Sequence, residues 1–529
     1  MLAEFVSVVD AVQCAVEIQQ VLRAKNAMLP ENRRMEFQIG INLGDVIEEG
    51  DTIYGDGVNI AARLEGLAEA GGICISGSAF EQIENKLPLR YDYLGEHEVK
   101  NITKPVRVYR AQIESDAVAR KPLEVASKEK MAFPLPDKPS IAVLPFVNMS
   151  RDPDQEFFSD GMTEEIITAL SKSPYLFVIA RQSTFAYKGK PVKVKQVSEE
   201  LGVRYVLEGS VRRSGEKVRI TAQLIDAMTG YHLWADRYDR DLKEIFALQD
   251  EIALKILKTV HEKLQPGEYL RILGRGTKNL EAFLKAMEAR KHFYRLTKED
   301  NALAQKLYEE VIVLDPDYAY AYASLAWTHM ADVWFGTSKS PMESLGRAIA
   351  LGERAVAVDE SDAVGHSSLG YFYTYAGQFD KAVAHAERGV ALDPNSSAIL
   401  FNSGATLAFS GRPEEAIPLL QKAIRLNPFA PAVYFDALSA AYRMVDRFDE
   451  AVEQAQKAVE REPENQYTYL TLIPACILAG QETEARAAAA EILKINPMCS
   501  LEQYARIIPF KDRSFLDRTI DALRKAGLK

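Results

Sequence analysis

Two polar residues that could contact a phosphate lie four positions apart, just after a loop rich in glycine and aspartate. The stretch GDTIYGDGVNIAARLEG, Gly50 to Gly66, carries Asn59 and Arg63. Residues with this spacing are about one helical turn apart, so both side chains would lie on the same face. They would also lie beside a helix N-terminus, where free N–H groups favour anions. The pattern therefore indicates part of a nucleotide site.

Other polar residues nearby have simpler interpretations. Asp45 and Asp56 each adjoin a glycine in a predicted turn, which favours turn and helix-capping roles over catalysis. His97 and His232 each stand alone in a predicted strand, and Trp234 has the pattern of a residue that packs on a sheet. None of these residues forms a recognisable catalytic group in the sequence.

The helix that carries Asn59 and Arg63 belongs to a predicted α/β domain over residues 1–112. A helix through VQCAVEIQQVL comes first, and MEFQIGINLGDVIEEG, residues 35–50, predicts a hairpin. After the Asn59/Arg63 helix, GGICISGSAF predicts a buried strand and a helix, and two strands close the domain at YDYLGEHEVKN and VRVYRAQI. Residues 113–139 lose this periodicity and gather proline, lysine and alanine, which is typical of a linker.

A second α/β domain is predicted over residues 140–266. SIAVLPF has the pattern of a buried strand, and SDGMTEEIITALSKS that of a helix with Ser159 or Asp160 as its N-cap. Residues 203–241 predict three strands with turns at residues 214–215 and 229–230. A helix over residues 242–264 is expected to close this domain.

The remainder, residues 278–529, repeats. Helix-stopping residues fall at intervals of 44, 34, 34, 35 and 34 residues, at Pro316, Glu360, Pro394, Pro428, Pro463 and Pro497. A small residue comes twelve positions before each stop, at Ala304, Ala348, Ala382, Ala416, Ala451 and Ala485. Such a register predicts helix pairs that touch at the small residue and end at the proline. Five to six pairs would stack into a curved solenoid, capped by the last helices.

Composition narrows the class of protein. The net charge of −11 and a pI near 5.4 argue against broad binding to nucleic acid or to an anionic membrane. The longest apolar run, residues 468–480, is too short to span a bilayer. The N-terminal residues carry acids within their apolar pattern and no basic leader, so they predict an amphipathic helix and not a signal peptide. We therefore expect a cytoplasmic protein with no membrane span and no nucleic-acid partner.

All three regions resemble known families. The quoted Asn59/Arg63 stretch and the closing GEHEVKNITKPVRVY resemble class III adenylate/guanylate cyclase catalytic domains, of a bacterial type coupled to TolB-like and tetratricopeptide modules. IAVLPFVNMS and FFSDGMTEEIITAL resemble the α/β domain of TolB-like proteins, and the repeats resemble tetratricopeptide (TPR) repeats. The implied fold is a partial ferredoxin-like cyclase domain, a TolB-like α/β domain and an all-α TPR solenoid.

The cyclase resemblance implies roles for three residues. Arg63 would stabilise charge on the α-phosphate while the ribose 3′-hydroxyl attacks it, and Asn59 would orient the nucleotide. Thr52 occupies the position that reads the purine, where a hydroxyl discriminates weakly, and ATP is favoured over GTP by analogy. The family uses Mg²⁺ or Mn²⁺, and the resemblance places the aspartates that bind these ions upstream of Met1. We therefore expect a truncated catalytic domain, and no metal ligand is assigned.

The family builds its active sites at a dimer interface, with metals on one chain and the Asn/Arg pair on the other. The expected function is therefore that of an adenylate cyclase family signalling protein. It would be inactive alone and would form a homodimer or a heterodimer through the cyclase domain. A homodimer would have no metal site, whereas a heterodimer with an intact cyclase could assemble one complete site. A protein or peptide ligand is expected on the concave face of the TPR solenoid. The alternative is a non-catalytic scaffold with a vestigial cyclase half.

Overall fold

The computed structural model describes residues 2–3, 5, 8–26, 30, 33–44, 47–49, 52–83, 89–97, 105–112, 126–150, 152, 155–260 and 276–529. The chain divides into two compact units, Met1–Pro122 and Leu123–Lys529. None of the helices in these described ranges is both long and apolar enough to cross a lipid bilayer.

The first unit is an α/β domain whose described strands form one four-stranded sheet and one short hairpin. The sheet has the order β1-β4-β6-β5, with β1 parallel to β4 and the other neighbours antiparallel. Its strands are β1 (Ile39–Ile41), β4 (Ile73–Ser76), β5 (Arg90–His97) and β6 (Val106–Gln112), and the hairpin strands are β2 (Ile47–Glu49) and β3 (Thr52–Tyr54). The helices are α1 (Val8–Asn26), α2 (Asp56–Leu67) and α3 (Gly77–Ile83).

The predicted hairpin over residues 35–50 is wrong. Strand β1 pairs in parallel with β4, with Gly40 opposite Cys74, and the hairpin forms one strand later, between β2 and β3. Alternation of apolar residues locates a strand but does not identify the neighbour with which it pairs.

The second unit begins with another sheet. Its order is β12-β11-β10-β7-β9, and β8 also pairs with β10. The strands are β7 (Ser140–Val143), β8 (Val147–Asn148), β9 (Phe177–Val178), β10 (Tyr205–Ser214), β11 (Lys217–Asp226) and β12 (Tyr231–Asp241). The helices of this part, called the middle domain here, are α4 (Glu156–Ser171), α5 (Arg181–Phe185), α6 (Val194–Leu201) and α7 (Ile245–Val260).

Two details of the middle domain differ from the prediction. Helix α4 begins at Glu156, three residues before the predicted cap, and Asp160 pairs with Lys188 at 2.6 Å instead of capping the helix. The buried side chain of Phe158 holds the first turn on the sheet. The closing helix α7 starts at Ile245, after a short 3₁₀ turn, and the end predicted at 264 lies outside the described residues.

The described part of the predicted linker packs on the middle domain. The Ala126 amide donates to the Ala227 carbonyl at 2.9 Å, and the Ala132 amide donates to the Glu199 carbonyl at 2.8 Å. Ala126 is buried in the same apolar cluster as Val197. Residues 113–125 of the linker lie outside the described ranges.

The rest of the second unit is a helical solenoid. Its helices are α8 (Leu280–Phe293), α9 (Lys298–Leu314), α10 (Ala319–Trp334), α11 (Pro341–Val358), α12 (Ala363–Tyr375), α13 (Phe379–Leu392), α14 (Ser397–Phe409), α15 (Pro413–Leu426), α16 (Ala432–Met444), α17 (Phe448–Arg461), α18 (Gln466–Leu478), α19 (Glu482–Ile495), α20 (Leu501–Ile507) and α21 (Arg513–Lys525). The all-α solenoid predicted from the repeats is confirmed.

The repeat register has a simple physical basis. The six alanines twelve residues before each stop are all 0% exposed, because each lies where the two helices of a pair meet. The second helix of each pair ends two residues before its stop, as α13 does at Leu392, before Pro394. Gly370 on α12 faces the backbone of α13, and a Cβ there would lie 2.9 Å from the Ala382 carbonyl oxygen. Small residues therefore set the spacing of the helices.

Candidate functional site

The helix that carries Asn59 and Arg63 is held on the sheet by close backbone contact. A Cβ at Gly40 on β1 would overlap the Ala61 carbonyl oxygen and the Glu65 backbone nitrogen of α2. Only glycine lets the two backbones approach so closely. On the same side of the helix, Leu64 is 1% exposed and packs with Cys74 and other core residues.

Glycine also sets the start of α2. Gly55 precedes the first helical residue with a φ of 128°, a conformation that L side chains rarely adopt, and its carbonyl accepts the Asn59 amide at 3.1 Å. The N-cap residue Gly55 has no side chain that could cap the helix. The N-cap residue therefore leaves the first-turn amide groups uncovered, as a phosphate-binding N-terminus requires.

Asn59 and Arg63 both lie on the exposed side of α2. Neither side chain has a hydrogen-bond or ion-pair partner within the ranges that the structure describes. Other arginines of this unit differ: Arg107 pairs with Glu81 at 2.5 Å, and Arg110 pairs with Glu69 at 2.9 Å. None of the described residues therefore occupies the donors of the Arg63 guanidinium.

Thr52 begins strand β3, which leads through Gly55 directly into α2. Its backbone is paired with that of Glu49 across the hairpin. The predicted purine-reading residue and the predicted phosphate-binding residues therefore lie on consecutive elements.

The two aspartates beside glycine are not part of a described catalytic group. Asp56 is the first residue of α2 and is exposed, where its negative charge favours the helix N-terminus. Asp45 lies outside the described residues.

The described residues do not fit the metal ions that the cyclase resemblance implies. No group of three or more histidine, cysteine, aspartate or glutamate side chains is arranged to hold a metal within the described ranges. No step of the chemistry is therefore assigned to a metal held by these residues.

A second candidate site is a large cavity inside the second unit. Its volume is about 1880 Å³, and it lies between the inner helices of the solenoid and helices α4 and α5 of the middle domain. The solenoid supplies most of the aromatic lining: Trp327, Trp334, Tyr371, Tyr375, Tyr467 and Tyr504. The middle domain thus forms one wall of the concave face.

Buried hydrogen bonds fix this wall in place. Ser171 donates to the Asp393 carboxylate at 2.9 Å, and burial raises the pKa of that acid. Asn395 donates to the Ser173 carbonyl at 2.6 Å. Ser183 donates to the Asn427 side-chain oxygen, also at 2.6 Å. The solenoid residues in these hydrogen bonds lie in the connections between repeats. The contacts to the middle domain therefore recur with the spacing of the repeats.

Ion pairs strengthen the docking near the start of the solenoid. Arg290 on α8 pairs with Glu164 and Glu165 on α4, each at 3.0 Å. Arg181 also pairs with Glu164, at 2.8 Å, and Tyr294 donates to the same carboxylate at 2.9 Å. Burial alone would raise the pKa of Glu164, but Arg290 and Arg181 together hold it below its usual range.

Sequence reasoning missed the residues of this second site. Glu164 and Arg290 are 126 positions apart, and nothing in the spacing joins them. Gly40 could have been found, because a glycine inside a strand often marks a close backbone approach. Asp436, on the inner face of α16, carries no motif at all.

Comparison with known proteins finds a family model that matches the first unit. Residues 4–112 match the adenylate and guanylate cyclase catalytic domain. The matched segment of this cyclase domain includes Thr52, Asn59 and Arg63. Residues 369–431 match the tetratricopeptide repeat, so both of these predicted resemblances are confirmed.

The middle domain matches a different family from the one predicted. Residues 137–255 match the second domain of HilA/YgeH-like transcriptional regulators. The TolB-like resemblance stays a prediction.

One curated relative is "Putative adenylate cyclase 3" of Rhizobium meliloti (strain 1021), 43% identical over 384 residues. The aligned part covers 72% of this chain and 64% of the relative, so the chain spans less than two thirds of that protein's length.

Solved structures match parts of the chain. An adenylate/guanylate cyclase/hydrolase from Silicibacter pomeroyi is 39% identical over 20% of this chain and 63% of its own, with a TM-score of 0.20. YrrB, described as a TPR protein with an unusual peptide-binding site, is 19% identical over 38% of this chain and 97% of its own, with a TM-score of 0.28.

Proposed function

We propose that this chain is a signalling protein of the adenylate cyclase family and that it takes part in the conversion of ATP into 3′,5′-cyclic AMP and diphosphate. Its part in the reaction is to bind the phosphates through Arg63 and to orient the nucleotide through Asn59. The observation that carries the proposal is the exposed Arg63 guanidinium, one helical turn after Asn59 and without a partner in the described ranges. It belongs to the segment that matches the cyclase domain.

The chemistry requires such a group. The ribose 3′-hydroxyl gives up its proton to solvent as its oxygen attacks the α-phosphorus. The bond from this phosphorus to the bridging oxygen breaks, and diphosphate leaves with that oxygen. Negative charge grows on the phosphoryl oxygens in the transition state. An arginine fork can donate two hydrogen bonds to them and keeps its proton at every physiological pH.

Substrate choice would depend on Thr52. A hydroxyl can donate or accept one hydrogen bond at the purine edge. We expect ATP to be preferred over GTP, and only moderately.

The site is proposed to be completed by another chain. The family arrangement implied by the resemblance puts the metals and the Asn/Arg pair on different chains of a dimer. No group of side chains in the described ranges is arranged to hold a metal, so we propose that the other chain supplies the metals. With an intact cyclase that binds Mg²⁺ or Mn²⁺, this chain would supply Asn59 and Arg63 to the shared site.

The test is complementation between two chains. A metal-competent cyclase that lacks its own arginine is assayed for cyclic AMP with and without this protein. We expect activity to return with the wild-type chain and to fall by at least a hundredfold with Arg63→Ala, a loss typical of removing a transition-state donor. Glu65→Ala, an exposed change on the same helix, is the matched control and should leave complementation unchanged. No activity with the wild-type chain would contradict the proposal.

A second candidate function is that of a scaffold. The cavity of about 1880 Å³ on the concave face favours a role in binding a protein or peptide. The complementation assay separates the two candidates, because a scaffold with a vestigial cyclase half restores no cyclic AMP. The two functions are compatible, because a chain that restores cyclic AMP could also bind a peptide in the cavity.

A further inference from the structure

The cavity of the second unit is too large for an ordinary small ligand. Pockets for small molecules enclose roughly 300–1,000 Å³, whereas this one encloses about 1880 Å³. It is lined by successive inner helices of the solenoid, so its floor is long enough to follow an extended chain. Its size and length suit a peptide segment.

Most acids that line this cavity already have structural partners. Asp359 accepts the Ser361 amide at 2.9 Å, and Asp362 caps α12 through the amides of Val364 and Gly365. Asp393 accepts bonds from Ser171 and from two backbone amides of its own turn. These carboxylates are used by the fold and are not free to recognise a ligand.

Asp436 differs from these acids in two ways. It lies inside α16, away from both ends, so it caps nothing. Its Oδ1 atom has almost no exposed surface and no hydrogen-bond partner. A buried carboxylate oxygen without a donor costs free energy in the empty protein. That cost is recovered if a ligand supplies the donor.

The nearest cation on the same helix does not neutralise Asp436. Arg443, two turns further along α16, is 1% exposed. Its guanidinium donates to Thr519 at 3.2 Å and lies 5.1 Å from the Phe515 ring, both on α21. No ion pair within 4.0 Å joins Asp436 to a cation of the described ranges. The Asp436 carboxyl group therefore lines the cavity without a paired cation in the described ranges.

Aromatic side chains complete a surface that suits a cation with an apolar stem. Tyr467 and Tyr504 line the same end of the cavity, and Tyr467 is 47% exposed. Further along, Trp334 is 51% exposed, and its ring centroid lies 5.8 Å from that of Trp327, with the two planes tilted by 43°. Aromatic faces attract ammonium and guanidinium groups and also pack against methylene chains.

We propose that this cavity binds an extended peptide segment, and that Asp436 receives the ammonium or guanidinium group of a lysine or arginine side chain of that peptide. The inference rests on the peptide-binding role proposed above for the solenoid and names the chemistry of the partner. The middle domain, through α4 and α5, forms the opposite wall of the same site.

The pH dependence of binding should carry the signature of this carboxylate. Burial raises the pKa of Asp436 to about 8. Thr471 opposes the rise, the Glu462 carboxylate adds to it, and Arg443 opposes it. A cation binds the ionised form, so binding releases a proton at neutral pH and tightens as the pH rises through about 8. Tyr504 also faces this group, but burial raises its pKa to about 12, above this range.

The test measures peptide affinity with the full chain. Blocked heptapeptides that alternate alanine and phenylalanine around a central lysine, norleucine or glutamate are labelled and titrated by fluorescence anisotropy at pH 6.5 and pH 8.5. We expect the lysine peptide to bind about tenfold more tightly than the norleucine peptide at pH 8.5, as one charge-assisted hydrogen bond would give. The preference should be smaller at pH 6.5.

The variant Asp436→Asn keeps the size of the side chain and should abolish both the lysine preference and its pH dependence. Asp449→Asn, an exposed acid on the outer helix α17, is the matched control and should change neither. Calorimetry of the wild-type chain in two buffers of different ionisation enthalpy measures the proton released by the lysine peptide, and so gives a readout that needs no variant.

The outcomes separate the two proposals. Equal affinity for lysine and norleucine peptides, or an unchanged preference in Asp436→Asn, overturns the role of Asp436 and leaves the peptide-binding groove standing. If none of the three peptides binds, the groove proposal itself fails, and this inference fails with it.

Discussion

At the scale of single residues, one glycine determines how the candidate phosphate-binding helix is held. Gly40 lets the backbone of β1 touch the backbone of α2. This contact fixes the height of the helix above the sheet, and so the position of Asn59 and Arg63. Among the residues that the structure describes, none forms a hydrogen bond to either of those side chains, so the backbone contact is what positions them there.

Gly40→Ala should therefore disturb the candidate site, although it changes none of the predicted site residues. The new Cβ would overlap backbone atoms of α2, which cannot rotate away, and overpacking of this kind costs about 1–3 kcal/mol. We expect faster amide hydrogen exchange across residues 56–67 in the full chain, and weaker complementation of an arginine-deficient cyclase.

Gly66→Ala on the same helix is the matched control. A Cβ there meets nothing within 4 Å, and alanine favours a helix over glycine by up to about 1 kcal/mol. Exchange in α2 should stay the same or slow. Equal effects of the two substitutions would show that the close approach at Gly40 does not hold the helix.

At the scale of elements, the helices and strands that depend on a local sequence pattern could be predicted from the sequence. The alanines before each stop located the repeat helices, because a helix pair needs a small residue where its axes approach. The hairpin over 35–50 was misplaced, because the parallel partner of β1 lies more than thirty residues away. The Asn59/Arg63 helix was predictable from its spacing and glycines. Asp436 was not, because its significance depends on neighbours from other repeats.

One helix pair contains a hydrogen-bonded pair of histidines. His366 on α12 and His385 on α13 approach with their Nδ1 atoms 3.0 Å apart, and His366 Nε2 lies 3.0 Å from the Glu360 carbonyl. A carbonyl only accepts, so His366 carries its proton on Nε2. When both rings are neutral, its Nδ1 accepts the proton of His385 Nδ1–H. Two protonated rings are excluded from this geometry, because both Nδ1 atoms would then be donors.

Acid should therefore loosen this pair of helices. Burial lowers the pKa of both imidazoles, and each ring's neighbours include a cation, Arg388 for His366 and Lys381 for His385. The folded pKa values lie below the unfolded value of 6.5. Stability from the pair is thus complete above about pH 6.5 and is lost as the pH falls through the lower folded values.

We expect amide exchange in α12 and α13 to accelerate between pH 7.5 and 5 once corrected for the intrinsic rate. The unfolding free energy should fall by up to about 1.4 kcal/mol per pH unit for each extra proton that the unfolded chain binds. His385→Asn keeps a donor near the position of Nδ1 and removes one titrating group, so its slope should be shallower. An unchanged slope would exclude His385 as a source of the acid sensitivity.

At the scale of the whole second unit, the middle domain and the solenoid share one interface. Buried hydrogen bonds from several repeat connections meet α4 and α5, and the ion-pair cluster of Arg290, Glu164 and Glu165 closes one end of it. A solenoid by itself is a series of local contacts between neighbouring repeats. Docking of a folded domain along its concave side joins distant repeats, so unfolding should become more cooperative.

Arg290→Ala tests how much this cluster contributes. Its side chain is 6% exposed and that of Glu164 is 12% exposed, so removal of the arginine leaves buried carboxylates without their main partner. Breaking a buried pair in this way costs about 3–5 kcal/mol. We expect a lower midpoint in urea unfolding, followed by circular dichroism, and new protease cleavage between the middle domain and the repeats.

Arg347→Ala removes a pair with Glu343 in which both side chains are 62% exposed, and should cost less than about 1 kcal/mol. Because the rest of the interface depends on hydrogen bonds that Arg290 does not touch, the variant should still dock at low urea. If Arg290→Ala and Arg347→Ala shift the midpoint equally, the buried cluster does not hold the domain in the groove, and the cavity wall formed by α4 and α5 must depend on the repeat connections alone.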